Sequence, residues 1–477
     1  MKKHYYITTT LPYVNAKPHI GFALEIVQAD VLARWKRRQG WEVFFNTGTD
    51  EHGQKIYKKA KEAGLSPQKY VDGFVEQFRE LKNKLNLSYN NFIRTTDKHH
   101  VLAAQKLWQL CEKNGFIEKG TYEVKYCVGC EMEKTDSELE NGRCPLHPNY
   151  EIEVRKEENY FFKFSKLEKK LKDFYKKHPN FVVPKNRQRE IENFVKNGLK
   201  DFSISRLKEK MPWGIPVPGD ETQVMYVWFD ALTNYISALG WPKKSLDQFW
   251  GTKEKPQAIQ VAGKDNLRQQ TAIWQAMLMA ADLPPSKQIF IHGFITSEGQ
   301  KMSKSLGNVV DPLELVDRYG TEAVRYFLLA KLHPFEDSDF TIQKFESAYN
   351  DDLANGLGNL VARTESMAAK EGIIGKEIDF QEDKTIEREL DNYRFDKAIE
   401  IVWQKIKKAN SFINETKLWS LEGKEKRSAL EKLIKQVQQI GYDLEIFLPT
   451  TSGQIKSRFQ GKIQKNKPLF PRLNYVN

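Results

Sequence analysis

The chain has 477 residues, 40% hydrophobic and 29% charged, with a formal net charge of +12. At about 100 to 200 residues per domain this length implies several domains. No stretch approaches the roughly 18 uninterrupted apolar residues a membrane-spanning helix needs, which argues against a membrane partner and for a cytoplasmic protein.

In chain order, Tyr5–Thr9 alternates aromatic and β-branched residues as a strand does, and Pro12, Asn15 and Pro18 break it before a helical pattern over Gly21–Arg38. Val43–Asn46 is expected as a second strand, opening into Thr47-Gly48-Thr49-Asp50-Glu51-His52-Gly53. In parallel α/β sheets the carboxyl ends of strands carry ligand sites. Thr96 or Asp97 caps a helix with apolar Val101, Leu102, Leu107, Trp108, Leu110 and Cys111 that stops at Gly115, so Cys111 is expected in the core. Residues 116–217 change character, with a cysteine cluster followed by lysine-rich amphipathic stretches such as Lys166–Lys177. They read as an insertion between two halves of one sheet domain, 1–115 and 218–292. Strands are expected again at Val224–Trp228, Ala258–Ala262 and Gln288–Thr296. Residues 293–346 carry a lysine-containing loop. From 347 to 477 Gly and Pro thin out, and patterns such as Asp396–Ser411 predict a helical bundle with a basic tail around Lys456–Lys467. There is no internal repeat and no low-complexity linker.

The cysteines point to metal rather than to disulfides, since three of only four cluster together. Cys127-x2-Cys130-x13-Cys144-x2-His147 offers three thiolates and an imidazole in two short pairs, a tetrahedral zinc shell. A redox Cys-x2-Cys pair or a vacant site would leave His147 without a role. A filled four-ligand shell has no open position for substrate, so one zinc per chain is expected to be structural. The positive charge suits a polyanionic partner without naming it.

Two short motifs carry the chemistry: Pro18-His19-Ile20-Gly21 at the first strand-to-helix turn, and Lys301-Met302-Ser303-Lys304-Ser305-Leu306-Gly307-Asn308 far downstream. Alone, the first reads as an ordinary turn and the second as a solvated loop. Together and in this order they resemble the class I aminoacyl-tRNA synthetases. Gly21 lets backbone approach a phosphate chain at a helix N-terminus, where free N–H groups and the dipole favour anions, and His19 adds a directed donor. Lys301 and Lys304, on a loop with Gly299 and Gly307, suit closure over a triphosphate and stabilisation of charge on departing pyrophosphate.

Leu11-Pro12-Tyr13-Val14-Asn15-Ala16-Lys17-Pro18-His19, Gly48-Thr49-Asp50-Glu51-His52-Gly53, Tyr226-Val227-Trp228-Phe229-Asp230-Ala231 and Gly263-Lys264-Asp265 are similar to the methionyl-tRNA synthetase family, and the resemblance runs over essentially the whole chain. It implies an α/β fold: a Rossmann-like parallel-sheet catalytic domain with a zinc-binding insertion, followed by an all-α anticodon-binding bundle. It also implies that Leu11, Tyr13, Trp228, Ala231, Leu232 and Tyr235 line the pocket for a thioether side chain, with Gln270 able to donate there. An aromatic-walled cavity suits a soft sulfur. Asp50 would pair with the substrate ammonium. ATP, carrying Mg2+, would meet His19, Gly21, Gly263, Asp265, Lys301, Ser303 and Lys304, and Arg206 in Ser203-Ile204-Ser205-Arg206 would stabilise charge at the reacting groups. Asn359 and Arg363, at i and i+4 on one helix face, and Trp419 would read the anticodon of tRNA(Met), initiator included. The bland alternative is a helix-face pair and a buried Trp.

The chain departs from the family pattern twice. Phe22 replaces the usual second histidine of the first signature, and Gln269 and Gln270 stand where an aromatic and a histidine are expected. These departures favour one rival, a non-catalytic RNA-binding paralogue. A sister class I enzyme for isoleucine, valine, leucine or cysteine is the other, although an insertion of about 100 residues is short for the large editing domain of the branched-chain enzymes. The chain ends soon after Pro468-Leu469-Phe470-Pro471-Arg472, leaving no room for the extra C-terminal dimerisation and tRNA-binding domain of some relatives, so a monomer is expected.

Overall fold

The computed structural model describes residues 3–129, 132–134, 139–145, 147–302 and 308–473. The first alternating segment forms strand β1 (His4–Thr8), helix α1 (Ile20–Arg38) follows, and β2 (Glu42–Thr49) pairs in parallel with β1 from His4↔Glu42 to Thr8↔Asn46. With β3 (Asn91–Arg94) and the strands Ile259–Gly263, Gln288–His292 and Val182–Val183 they build one six-stranded sheet, every pairing parallel, in the order β3, β2, β1, Ile259–Gly263, Gln288–His292, Val182–Val183. Successive side chains of a strand face opposite sides. Tyr5 and Ile7 accordingly join the core beneath α1, while Tyr6 packs on the other face against Trp250. Both faces are covered, as a parallel sheet requires.

The sixth strand comes from an unexpected place. Val182–Val183 lies within the stretch 116–217, which therefore does not stand wholly apart from the sheet. Its first part is a long antiparallel hairpin, Ile117–Cys127 against Ile152–Phe162. Its helices Glu168–Lys177 and Lys185–Lys196 turn back onto the sheet domain, where the Tyr175 hydroxyl donates to the Thr271 carbonyl at 2.6 Å. Helices dominate the C-terminal third, among them Asn359–Lys370, Phe395–Glu415 and Gly423–Leu444. Arg325 joins the parts. It is fully buried, pairs with Asp30 of α1 at 2.9 Å, and donates to the carbonyls of Leu85 (3.0 Å) and Phe447 (2.8 Å).

Three local expectations change. The strand expected over Val224–Trp228 stops at Met225, and Val227–Leu232 is a short helix, because Phe229 must reach Trp108 and Phe162 in the core (centroids 5.2 and 6.4 Å). The run Gln288–Thr296 breaks at Gly293, where a Cβ would stand 2.1 Å from the Glu336 carbonyl oxygen, and its second part, Ile295–Ser297, pairs in another sheet. Helix Lys98–Lys113 buries Cys111 completely, as expected, but turns Leu102 to solvent. Among the described residues no helix is long and apolar enough to cross a membrane.

Candidate active site

The carboxyl ends of β1, β2, Ile259–Gly263 and Gln288–His292 open into one cleft of about 1520 Å³. Open α/β sheets bind ligands at this edge. Leu11, Tyr13, His19, Gly21, Asp50, Arg206, Trp228, Ala231, Leu232, Tyr235, Gly263, Asp265 and Gln270, which lie in six separate stretches of sequence, all line it.

Asp50 lies on the wall of the cleft. An isolated bridge to Tyr13, with Asp50 N–H donating to the Pro12 carbonyl (3.0 Å) and Val14 N–H to the Asp50 carbonyl (3.1 Å), holds the turn. Its carboxyl is buried and Oδ1 has no partner. Burial, then the nearby Asp230 and Glu51, pushes its pKa well above the usual carboxylate range. Its sequence neighbours are saturated. Glu51 accepts from Arg94 Nε (2.7 Å) and Nη2 (2.8 Å), Thr49 (2.6 Å) and Thr96 (2.7 Å). His52 Nδ1 meets Asp230 Oδ2 at 2.7 Å, and His100 Nε2 meets Oδ1 at 2.8 Å. Burial would raise the Asp230 pKa, but these two imidazoles bring it below the usual value.

His19, also on the cleft wall, caps α1. Its Nδ1 accepts from Gly21 N–H (3.1 Å), which leaves Nε2 as the protonated donor, and the surrounding protein holds its pKa below that of free histidine. The expectation of free N–H groups here is corrected: Ile20 N–H donates to the Val310 carbonyl, and those of Phe22 and Ala23 to the His19 carbonyl. His19 and the helix dipole, rather than bare amides, face an incoming anion. Phe22 supplies no donor; it packs edge-on against Phe78. Arg206 is braced by Ser203 Oγ (2.9 Å), the Ser205 carbonyl (2.6 Å) and the Tyr226 ring (4.6 Å). Lys301 pairs through its backbone with Thr296; Ser303 and Lys304 lie outside the described residues.

Two groups the sequence reading did not single out stand here. Glu25 of α1 accepts from Thr10 N–H and Oγ1 (both 2.6 Å) and meets His292 Nε2 at 3.0 Å, while His292 Nδ1 donates to the Gly293 carbonyl (2.7 Å). Burial alone would lower the His292 pKa, yet Glu25 lifts it above the ordinary value. His292 ends the observed strand Gln288–His292 just before Gly293, whereas the expected strand ran on to Thr296, and that glycine was the one signal that could have marked it.

Away from the cleft, one ligand atom each from Cys127, Cys144 and His147 lies within 4.8 Å of the others. Gly129 fits the knuckle because a Cβ there would sit 2.6 Å from the His147 ring. Cys130 lies outside the described residues. Two thiols and an imidazole converging so closely fit a zinc ion. In the bundle, Arg363 Nη2 donates to Asn414 Oδ1 (2.8 Å), Asn359 is exposed on the same helix, and Trp419 is 53% exposed.

The family described as tRNA synthetases class I (M) matches residues 5–151 and 133–365. The methionine–tRNA ligase of Caldanaerobacter subterraneus subsp. tengcongensis is 42% identical over 470 residues, covering 94% of this chain and 73% of the relative. This chain belongs to the class I methionine–tRNA ligase family. A second member, from Thermosynechococcus vestitus, is 47% identical over 377 residues, 78% of this chain and 70% of its own. Among solved structures of the family, Mycobacterium tuberculosis methionyl-tRNA synthetase in complex with methionyl-adenylate superposes with a TM-score of 0.87 at 31% identity, covering 98% of this chain and 100% of that one. Membership sets aside the sister-synthetase rival.

Proposed function

We propose that this chain activates L-methionine with ATP to methionyl-adenylate and transfers the methionyl group to the 3′ end of tRNA(Met), initiator included. The observation that carries the reading is the buried, unpartnered Asp50 oxygen, which shares one cleft with the aromatic side chains of Tyr13, Trp228 and Tyr235 and with His19 and Arg206. A carboxylate desolvated without a partner is costly, and a substrate ammonium relieves that cost.

With the ammonium on Asp50 and the thioether against Tyr13, Trp228, Leu232 and Tyr235, the methionine carboxylate attacks the α-phosphate of ATP in line. A carboxylate–phosphorus bond forms and the bond to pyrophosphate breaks. His19 donates through Nε2 to the phosphate chain, Arg206 offsets charge at the reacting groups, and Lys301 and Lys304 stabilise the departing pyrophosphate, with Mg2+ arriving on the ATP. The terminal ribose hydroxyl of the tRNA then attacks the adenylate carbonyl and AMP leaves. Alignment and electrostatics carry both steps, without a covalent enzyme intermediate. Cys127, Cys130, Cys144 and His147 would hold one zinc, whose part is to order the tip of the hairpin Ile117–Cys127/Ile152–Phe162. Asn359, Arg363 and Trp419 would read the anticodon. We place the enzyme in the cytoplasm, as a monomer.

The test is exchange of labelled pyrophosphate into ATP, run across the amino acids. Exchange with methionine, and not with isoleucine, valine, leucine or cysteine, is expected; none with any amino acid would leave an RNA-binding paralogue. Zinc is checked separately: Cys144→Ser should lower zinc by elemental analysis and disturb tRNA charging more than exchange.

A further inference from the structure

The wall of the cleft beyond Tyr235 is built by a single π-turn, Gln269–Ile273. Such a turn widens the helix and recurs at functional sites. Here two consecutive side chains, Gln269 and Gln270, both line the cavity. They are in opposite states. Gln270 is saturated: its Nε2 donates to the Tyr235 hydroxyl (2.6 Å), its Oε1 accepts from Gln260 Nε2 (3.0 Å), and its backbone carbonyl accepts from Gln275 (3.0 Å). Ser286 closes the chain, donating to Gln260 Oε1 and bonded at 3.1 Å to the amide of Gln275. Gln269 Oε1 is buried and has no partner. Asp50, Tyr235, Gln269 and Gln270 line the same cavity. An unbranched amino acid with its ammonium on Asp50 extends along Tyr235 toward Gln269.

We propose that Gln269 makes the inner end of the amino-acid pocket a hydrogen-bond acceptor, so that the enzyme also activates unbranched amino acids of methionine's length whose side chain ends in a hydroxyl or thiol donor. The methionine side chain carries no N–H, O–H or S–H and leaves the Gln269 oxygen desolvated and unpaired. A terminal O–H satisfies it. A site with an unmet acceptor discriminates by hydrogen bonding where an apolar pocket discriminates weakly among isosteres. The inference rests on the reading of this cleft as the methionine-activation site and adds the substrate class its wall selects.

The experiment measures kcat/KM in pyrophosphate exchange for methionine, 5-hydroxynorvaline (isosteric, ending in O–H) and norleucine (isosteric, apolar). The parent enzyme should favour 5-hydroxynorvaline over norleucine by about threefold to tenfold, the range a single neutral hydrogen bond gives. Gln269→Met, which keeps length and removes the acceptor, should abolish or reverse that ratio. Gln270→Met strips Tyr235 and Gln260 of partners and should lower all three substrates together. A norleucine preference in the parent enzyme, or an equal loss on all three with Gln269→Met, overturns the inference. Absence of methionine-dependent exchange would instead sink the functional reading beneath it.

Discussion

Asp50, on the cleft wall, and Asp230, behind it, are two buried carboxylates whose charges repel each other, and they are in opposite states. Asp230 accepts from His52 and His100 and is held below its usual pKa; Asp50 keeps an unpaired oxygen and is pushed well above. The protein spends stability at one and gains it at the other. Of these two carboxylates, the one whose partners are part of the chain belongs to the scaffold, whereas the one without a partner, on the cleft wall, is open to a ligand. The bundle repeats the contrast in apolar form: Trp403 is buried and stacked on Tyr326 at 4.4 Å, while Trp419 is 53% exposed.

The largest effect that tests this contrast is on activity. Asp50→Asn removes the charge that meets the ammonium, a loss of about 2–5 kcal/mol, or roughly 30-fold to several-thousand-fold in kcat/KM for methionine-dependent exchange. The same variant should melt higher than the parent at neutral pH. Because the folded pKa of Asp50 is raised, the parent loses stability as pH rises from the ordinary Asp range through that raised value, and asparagine escapes the loss. A lower melting temperature would show that Asp50 has a structural partner and break the contrast.

Asp230→Asn should do the reverse, costing about 3–5 kcal/mol of stability by removing the charge and turning an amide NH2 toward one of two buried histidines that needs an acceptor. Its pKa is lowered in the fold, so the stability it adds is present above the usual Asp range and lost as pH falls through the folded value. Denaturant titration at two pH values measures both; an unchanged midpoint would contradict the scaffold role.

The tryptophans extend the test beyond the cleft. Trp419→Ala should lower tRNA charging by about five- to 150-fold, the worth of one stacked base, and spare pyrophosphate exchange. Trp403→Ala should instead destabilise the bundle. Equal falls in exchange and charging for Trp419→Ala, with the fold intact, would place that residue with the scaffold.

The smallest effect is on pH dependence. Free Asp50 must release its proton before pairing with an ammonium, so kcat/KM for methionine should fall by about tenfold per unit as pH drops below its raised pKa. Asp50→Asn should flatten that limb.

Much of the catalytic architecture was legible because its signals are local. One strand-to-helix turn contains Pro18-His19-Ile20-Gly21, and Cys144-x2-His147 puts two of the three converging side chains within one short turn, so residue order alone reports them. Periodicity foretold α1 and the buried Cys111 for the same reason. It misread Val224–Trp228, where alternation suggested a strand and the core contacts of Phe229 decided a helix.

The sequence by itself determined which chemical groups the cleft has to work with and the parallel-strand edge where they gather, since residue type and short-range pattern need no neighbours to be read. Only the tertiary structure decided their states. Glu25 and His292 lie 267 residues apart and Asp230 and His100 are 130 apart, so no window of sequence contains either pair. Whether Gln269 or Asp50 keeps an unmet oxygen depends on what packing brings within about 3 Å of it. The final two-residue strand of the sheet, Val182–Val183, likewise exists because Gln288–His292 offers it an edge. Burial and hydrogen-bond satisfaction are properties of surroundings, and distant segments supply them.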